Sequence, residues 1–140
     1  MIEVTKYVDI CAGHRVIGQG GKCERSYHGH EYRIYFTCRG EVQDNGMIID
    51  FGKIGELLCN KVDELWDHRT ILWDQDPNLE TFKRMTPDGL AIVSFNPTAE
   101  NLATYLLNEL GPEQLKETNI ELVGVRIDET HKCSANVRKD

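Results

Sequence analysis

Apolar and polar positions alternate in two stretches of the first forty residues. Ile2, Val4, Val8 and Ile10 are interleaved with Glu3, Thr5 and Asp9, a period of two that predicts a first strand. From Glu31 to Arg39, Tyr32, Ile34, Phe36 and Cys38 alternate with Arg33, Tyr35, Thr37 and Arg39. This predicts a second strand with one buried face. Gly18-Gln19-Gly20-Gly21 opens a loop between them that runs to Tyr27, and Asn45-Gly46 marks a turn after the second strand.

The period then changes. Ile54, Leu57, Leu58, Val62 and Leu65 recur at helical spacing behind Asp50, which is placed to cap the helix. Leu102, Ala103, Leu106, Leu107 and Leu110 share one face of a second helix that starts at Asn96-Pro97-Thr98, with Thr98 as its cap. Gly111-Pro112 is expected to stop it. Ile120–Ile127 reads as a strand and Ser134–Val137 as a short last one. Residues 69–95 show no clean period and contain Pro77, Pro87 and Gly89. They read as an irregular excursion with a short element near Leu90–Val93, and loops of that size are more often functional or interface-forming than idle. The order of elements predicts an α+β fold, an antiparallel four-stranded sheet with two helices on one face. Its strand edges need covering, so pairing between copies is expected.

Composition narrows the function. A chain of 140 residues fits one domain, 1–140, and 40% hydrophobic with 28% charged residues is the globular range. Sixteen basic and 23 acidic side chains give a net charge of −7, which argues against a nucleic-acid partner while leaving room for a local basic pocket. No apolar run reaches the roughly 20 residues of a membrane helix, so no membrane partner is expected. The first residues lack the features of a signal peptide, and a cytoplasmic location is the expectation. The five cysteines are odd in number, with no Cys-x-x-Cys. Reduced thiols are therefore expected, with Cys11, Cys38, Cys59 and Cys133 as small core or sheet residues.

Candidate chemistry gathers around histidines. In an extended chain His28 and His30 point to one face, and Gly29 between them permits close backbone approach. His14 ends the first strand, where antiparallel pairing brings it beside them. Three imidazoles suit zinc and leave one coordination position open for water or a substrate oxygen; the competing reading is a chance pair on a solvent-facing strand end. Cys23 lies in the loop above, flanked by Lys22 and Arg25, whose charge favours the thiolate. It is a candidate base or nucleophile, or else a fourth ligand that closes the metal site. Asp67-His68 offers an imidazole with a carboxylate to orient it, or simply a helix-end pair. Glu129-Thr130, just past a strand, offers a carboxylate suited to the side-by-side donors of an aminopyrimidine, or an exposed acid of no special role.

Six segments in this order resemble the 6-pyruvoyl-tetrahydropterin synthase / 6-carboxytetrahydropterin synthase family. They are Cys11-Ala12-Gly13-His14, Cys23 with His28-Gly29-His30, Gly46-Met47-Ile48-Ile49-Asp50-Phe51, Asp67-His68, Asn96-Pro97-Thr98-Ala99-Glu100-Asn101 and Glu129-Thr130. Ile10 and Val137 depart from it, standing where the family has an aromatic residue and a tyrosine. The resemblance implies a tunnelling fold whose trimers close the sheets into a barrel, and a homo-oligomer that is a trimer or a dimer of trimers with sites between subunits. It implies zinc on His14, His28 and His30, Cys23 as the proton-transferring thiol, and Asp67 with His68 as a partner dyad, contributed by the same or a neighbouring subunit. Glu129 would anchor the pterin ring beside Thr130, and Arg25 is a candidate for the triphosphate of the substrate, 7,8-dihydroneopterin triphosphate. The compact loop from Cys23 to Tyr27 favours the carboxy-forming branch, a lyase of the queuosine-type pathway. The alternatives are the pyruvoyl-forming branch and a non-catalytic zinc- or pterin-binding subunit.

Overall fold

A computed structural model describes the backbone of residues 1–140 and every side chain except that of Cys23. Strands β1 (Ile2–His14) and β2 (His28–Gly40) pair antiparallel in unbroken register from Ile2↔Gly40 to His14↔His28. Both strands extend beyond the alternating stretches to include the histidines. Alternation is invisible there because alanine, glycine and histidine give little contrast in hydrophobicity. A short helix, α1 (Gly21–Arg25), interrupts the connection between the strands.

The predicted buried face is there: Tyr32, Ile34, Phe36 and Cys38 are at most 1% exposed. The long helices pack on that face and share one core with it. Helix α2 (residues 51–66) contains a π turn at Gly55–Cys59 and is capped by Asp50, whose Oδ1 accepts from Gly52 N–H at 2.8 Å. Helix α4 (residues 99–115) is capped by Thr98, whose hydroxyl accepts from Asn101 N–H at 3.1 Å. Ile54, Leu58, Val62, Leu102, Ala103 and Leu106 form their inner faces. The opposite face of the sheet is polar and aromatic: the Arg33 guanidinium lies 4.1 Å from the Tyr7 ring centroid and pairs with Asp9.

Several expectations need correction. Helix α4 does not stop at Gly111-Pro112 but continues to Leu115. A π turn at Leu106–Leu110 comes directly before Gly111-Pro112, and this wider turn relieves the clash between a proline ring and the carbonyl four residues earlier. The excursion is not irregular: it holds β3 (Thr70–Trp73), α3 (Leu79–Met85) and β4 (Leu90–Val93). The sheet therefore has six strands, not four, in the order β4-β3-β1-β2-β5-β6, with β5 (Glu121–Asp128) and β6 (Ser134–Arg138) on the far side. It is mixed rather than antiparallel, because β3 runs parallel to both β1 and β4. Strands of four residues are too short for a period to emerge, and in β3 the adjacent Ile71 and Leu72 are both fully buried. Finally, Cys38 and Cys59 lie in the core and Cys11 stands in strand β1, as expected, but Cys133 is exposed in the turn between β5 and β6. No helix among the described residues is long and apolar enough to cross a membrane.

The burial of β3 makes the excursion part of the structure's stability. Leu72→Ala is expected to destabilise the protein by about 2–5 kcal/mol, and Ile92→Ala, on an exposed position of β4, by about 0.5 kcal/mol or less. Urea denaturation curves of the two variants test this; equal midpoints would show that the excursion does not share the cooperative core.

Candidate metal centre and active site

His14 and His28 face each other across the last rung of the β1–β2 ladder, and His30 sits two residues further in, opposite Ala12. All three project to the helix-covered face, the face of Tyr32 and Ile34. Gly13 and Gly29 form the rung between them. A β-carbon on Gly29 would sit 3.2 Å from the Ala12 carbonyl oxygen, and one on Gly13 would sit 3.3 Å from that of His28. Glycine at both positions lets the strands approach this closely.

Backbone carbonyls set the tautomers. His14 Nδ1 lies 2.8 Å from the Pro97 carbonyl oxygen, and His28 Nδ1 lies 3.1 Å from that of Ser26. A carbonyl only accepts, so each Nδ1 carries the proton and donates it. In the neutral form each ring turns an Nε2 lone pair inward, and the two Nε2 atoms are 3.2 Å apart. Two opposed lone pairs cannot satisfy each other. His30 Nε2 is also buried with no hydrogen-bond partner among the described residues. One ring nitrogen from each of the three histidines lies within 4.8 Å of the others. Two ligands on one tetrahedral zinc, each at about 2.0–2.1 Å, would be about 3.4 Å apart. Orphaned nitrogens, fixed tautomers and spacing together fit a metal site.

Burial lowers the affinity of His14 for a proton, outweighing its Pro97 bond and the nearby Glu129 charge. Burial likewise lowers that of His30. Both rings are therefore held in the neutral form a metal needs. Tyr32 packs beneath them, its ring centroid 5.4 Å from that of His30. Among the described residues its hydroxyl is buried without a partner, and burial, then Glu129, raises its pKa.

The other candidates divide between two sides of this cluster. Glu129 stands at its rim: Oε1 is 3.6 Å from His30 Nε2, and the residue lines a cleft with His14, His28, Ile17 and Thr98. Thr130 follows in a turn, its hydroxyl accepting from Lys132 N–H at 3.1 Å. Asp67 and His68 form the expected pair: Asp67 Oδ2 accepts from His68 Nδ1 at 2.8 Å while Oδ1 accepts from Cys11 N–H at 2.9 Å. The Cys11 bond, and then the imidazole, lower the pKa of Asp67. His68 is held in the left-handed conformation, φ 58°, with its side chain 80% exposed. His68 lines a separate depression with Cys11, Gly13, Gly29 and His30, so the pair is not in the cleft of His14 and His28. Arg25 is exposed on α1, its Nε donating to the Gly21 carbonyl at 3.3 Å. The Cys23 side chain lies outside the described residues.

Two contributors have no chemical signature in sequence. Pro97 acts through its carbonyl. Asn96 grips the peptide of Ile17 twice, its Oδ1 accepting from Ile17 N–H at 2.9 Å and its Nδ2 donating to Ile17 O at 2.7 Å. The Asn-Pro-Thr sequence signals only a helix start, yet here it joins that start to the cleft wall.

The family model for 6-pyruvoyl tetrahydropterin synthase matches residues 3–140. The chain is similar to the 6-carboxy-5,6,7,8-tetrahydropterin synthase of Rickettsia typhi, with 35% identity over 139 residues that cover 98% of this chain and 100% of the relative. It is similar to the enzyme of the same name from Rickettsia bellii at 34% identity, with the same coverage. Among solved structures, an uncharacterized protein from Wolinella succinogenes matches with a TM-score of 0.85 and 25% identity, covering 99% of this chain and 98% of that one. The 6-pyruvoyl tetrahydropterin synthase of Caenorhabditis elegans matches at 0.73 and 26%, covering 99% and 96%.

The neutral histidines impose a pH dependence on chelator-treated protein. Between the lowered folded pKa values of His14 and His30 and the unfolded value near 6.5, the unfolded chain binds more protons than the folded one. Stability is undiminished above about pH 6.5 and falls as the pH drops toward the folded values. Thermal denaturation of metal-stripped protein should show Tm decreasing from pH 7.5 to 5.5, with a shallower slope in His14→Gln. Parallel slopes in the two proteins would contradict the burial effect.

Proposed function

Because the chain belongs to the 6-pyruvoyl tetrahydropterin synthase family, we propose that it is a zinc-dependent 6-carboxy-5,6,7,8-tetrahydropterin synthase. It converts 7,8-dihydroneopterin triphosphate to 6-carboxy-5,6,7,8-tetrahydropterin, releasing acetaldehyde and triphosphate, and its product feeds queuosine-type deazapurine synthesis. The reading is supported above all by the cluster of His14, His28 and His30 with its orphaned nitrogen, in a chain about one-third identical to two full-length relatives of that name.

His14, His28 and His30 would hold the zinc. When bound, zinc would supply a Lewis acid for the side-chain oxygens of the pterin, acidifying the adjacent C–H and O–H groups. Glu129, at the rim of the cluster, accepts paired N–H bonds from the pterin ring, with Thr130 beside it. Cys23 and the Asp67–His68 pair move protons, Asp67 fixing the His68 Nδ1–H so that Nε2 is free to take one. The dyad opens on a different depression from the cleft of His14 and His28, which favours sites shared between subunits of a trimer or dimer of trimers. Arg25 helps to draw the triphosphate. The chain works as one domain, 1–140, in the cytoplasm.

The pyruvoyl-forming reaction, which eliminates triphosphate alone, is the second reading, favoured by the likeness to the Caenorhabditis elegans structure. Product analysis with 7,8-dihydroneopterin triphosphate separates the two: stoichiometric acetaldehyde is expected, and its absence alongside triphosphate release would establish the pyruvoyl branch. Cys23→Ala should retain about one zinc per chain and lose turnover by about 100-fold or more. Loss of zinc in that variant would instead make Cys23 a ligand of a closed, non-catalytic site. Chelation should abolish turnover in the parent protein, and zinc should restore it.

A further inference from the structure

Arg15 directly follows His14, and Tyr27 directly precedes His28. Together they would form the next rung of the ladder, but the strands end at the histidines. Instead both side chains seize one carboxylate from the excursion. Arg15 donates to Asp76 through Nε at 3.0 Å and Nη2 at 2.5 Å, a bidentate pair. Tyr27 donates its hydroxyl to the same carboxylate, at Oδ1, across 3.4 Å. The Asp76 side chain is fully buried and that of Arg15 is 11% exposed.

Asp76 is itself held by backbone on every side. Its Oδ1 accepts from Asn78 N–H at 2.8 Å, its own N–H donates to Trp73 O at 3.0 Å, and its carbonyl accepts from Leu79 N–H at 3.1 Å. These bonds fix the turn from β3 into α3, and β3 pairs with β1 at Gly13 and His14. The Tyr27 ring is clasped as well, with the Arg15 guanidinium 4.8 Å from its centroid and the Phe82 ring of α3 at 4.1 Å. The result is a closed circuit from β1 through β3 and Asp76 back to the residues that flank two of the three histidines.

We propose that Asp76, through Arg15 and Tyr27, is a positioning residue that closes the base of the β1–β2 connection and holds His14 and His28 at metal-binding distance. The inference rests on the reading that the three histidines hold a metal. Stability alone is a poor account of the pair, because desolvation of a buried carboxylate and guanidinium largely cancels their attraction. Its place, one residue beyond each of two ligands and at the base of the connection that carries Cys23, is what a device for geometry requires. The excursion thereby acquires a role, since residues 69–95 deliver the carboxylate.

The test uses the full chain and zinc alone, with Asp76→Asn, Arg15→Lys and Tyr27→Phe compared with Val62→Ala, a core variant on the inner face of α2. Zinc affinity is read by chelator competition, and closure of the connection by the rate of tryptic cleavage after the exposed Lys22 and Arg25. Asp76→Asn and Arg15→Lys should weaken zinc binding about 10-fold or more and speed cleavage, with Tyr27→Phe intermediate. Val62→Ala should lower Tm and leave both readouts near those of the parent. If Asp76→Asn fails to fold, Arg15→Lys and Tyr27→Phe decide. Unchanged zinc affinity in the clamp variants, or an equal loss in Val62→Ala, overturns the positioning role. Failure of the parent chain to bind zinc overturns the metal reading itself, and the clamp's role with it, before any variant is made.

Discussion

The ladder between β1 and β2 runs unbroken from Ile2↔Gly40 to His14↔His28, and its register decides which face every side chain on it reaches. Side chains alternate along a strand, so a slip of one residue would turn His28 and His30 away from His14. The same slip would pull Tyr32, Ile34, Phe36 and Cys38 out of the core. Burying each of the larger apolar side chains contributes roughly 1.5–3 kcal/mol, so the core enforces a register that three histidines could not enforce alone. Placement of the histidine cluster follows from packing of the core, two or more residues away on the same strand.

Much of what orients the histidines is backbone. The tautomers of His14 and His28 are set by the carbonyls of Pro97 and Ser26, and the cleft wall at Ile17 is held through its peptide by Asn96. Carbonyl positions depend on where an element begins. The Thr98 cap that starts α4 therefore helps to fix the oxygen that orients His14, and local helix chemistry reaches the site through the backbone.

Short-range origin explains what could be read from the sequence. Both helix caps, the turn at Gly46 and the buried face of β2 were legible, because each rests on residues close together in the chain. The meeting of His14 with His28 and His30 was legible too, since a hairpin-like pairing and a period of two suffice to predict it. The parallel pairing of β3 and β4 was not, because four buried residues carry no period. Nor was the Asp76 clamp, which joins positions 61 and 49 residues apart through an acid that looks like any other in an acidic chain. The continuation of α4 past Gly111-Pro112 was hidden for a different reason: a π turn absorbs the proline, and nothing in the leucine pattern announces it.

The backbone at His68 has a consequence for the history of such a protein. A side chain held at φ 58° carries a penalty of roughly 1–2 kcal/mol that glycine would escape. Selection for heat tolerance alone would accept glycine there, since the imidazole is mostly in solvent and little packing would be lost. That exchange would leave Asp67 without its partner. Thermal hardiness and the carboxylate–imidazole pair thus pull in opposite directions at one residue, and lineages that grow hot would reveal which of the two they keep.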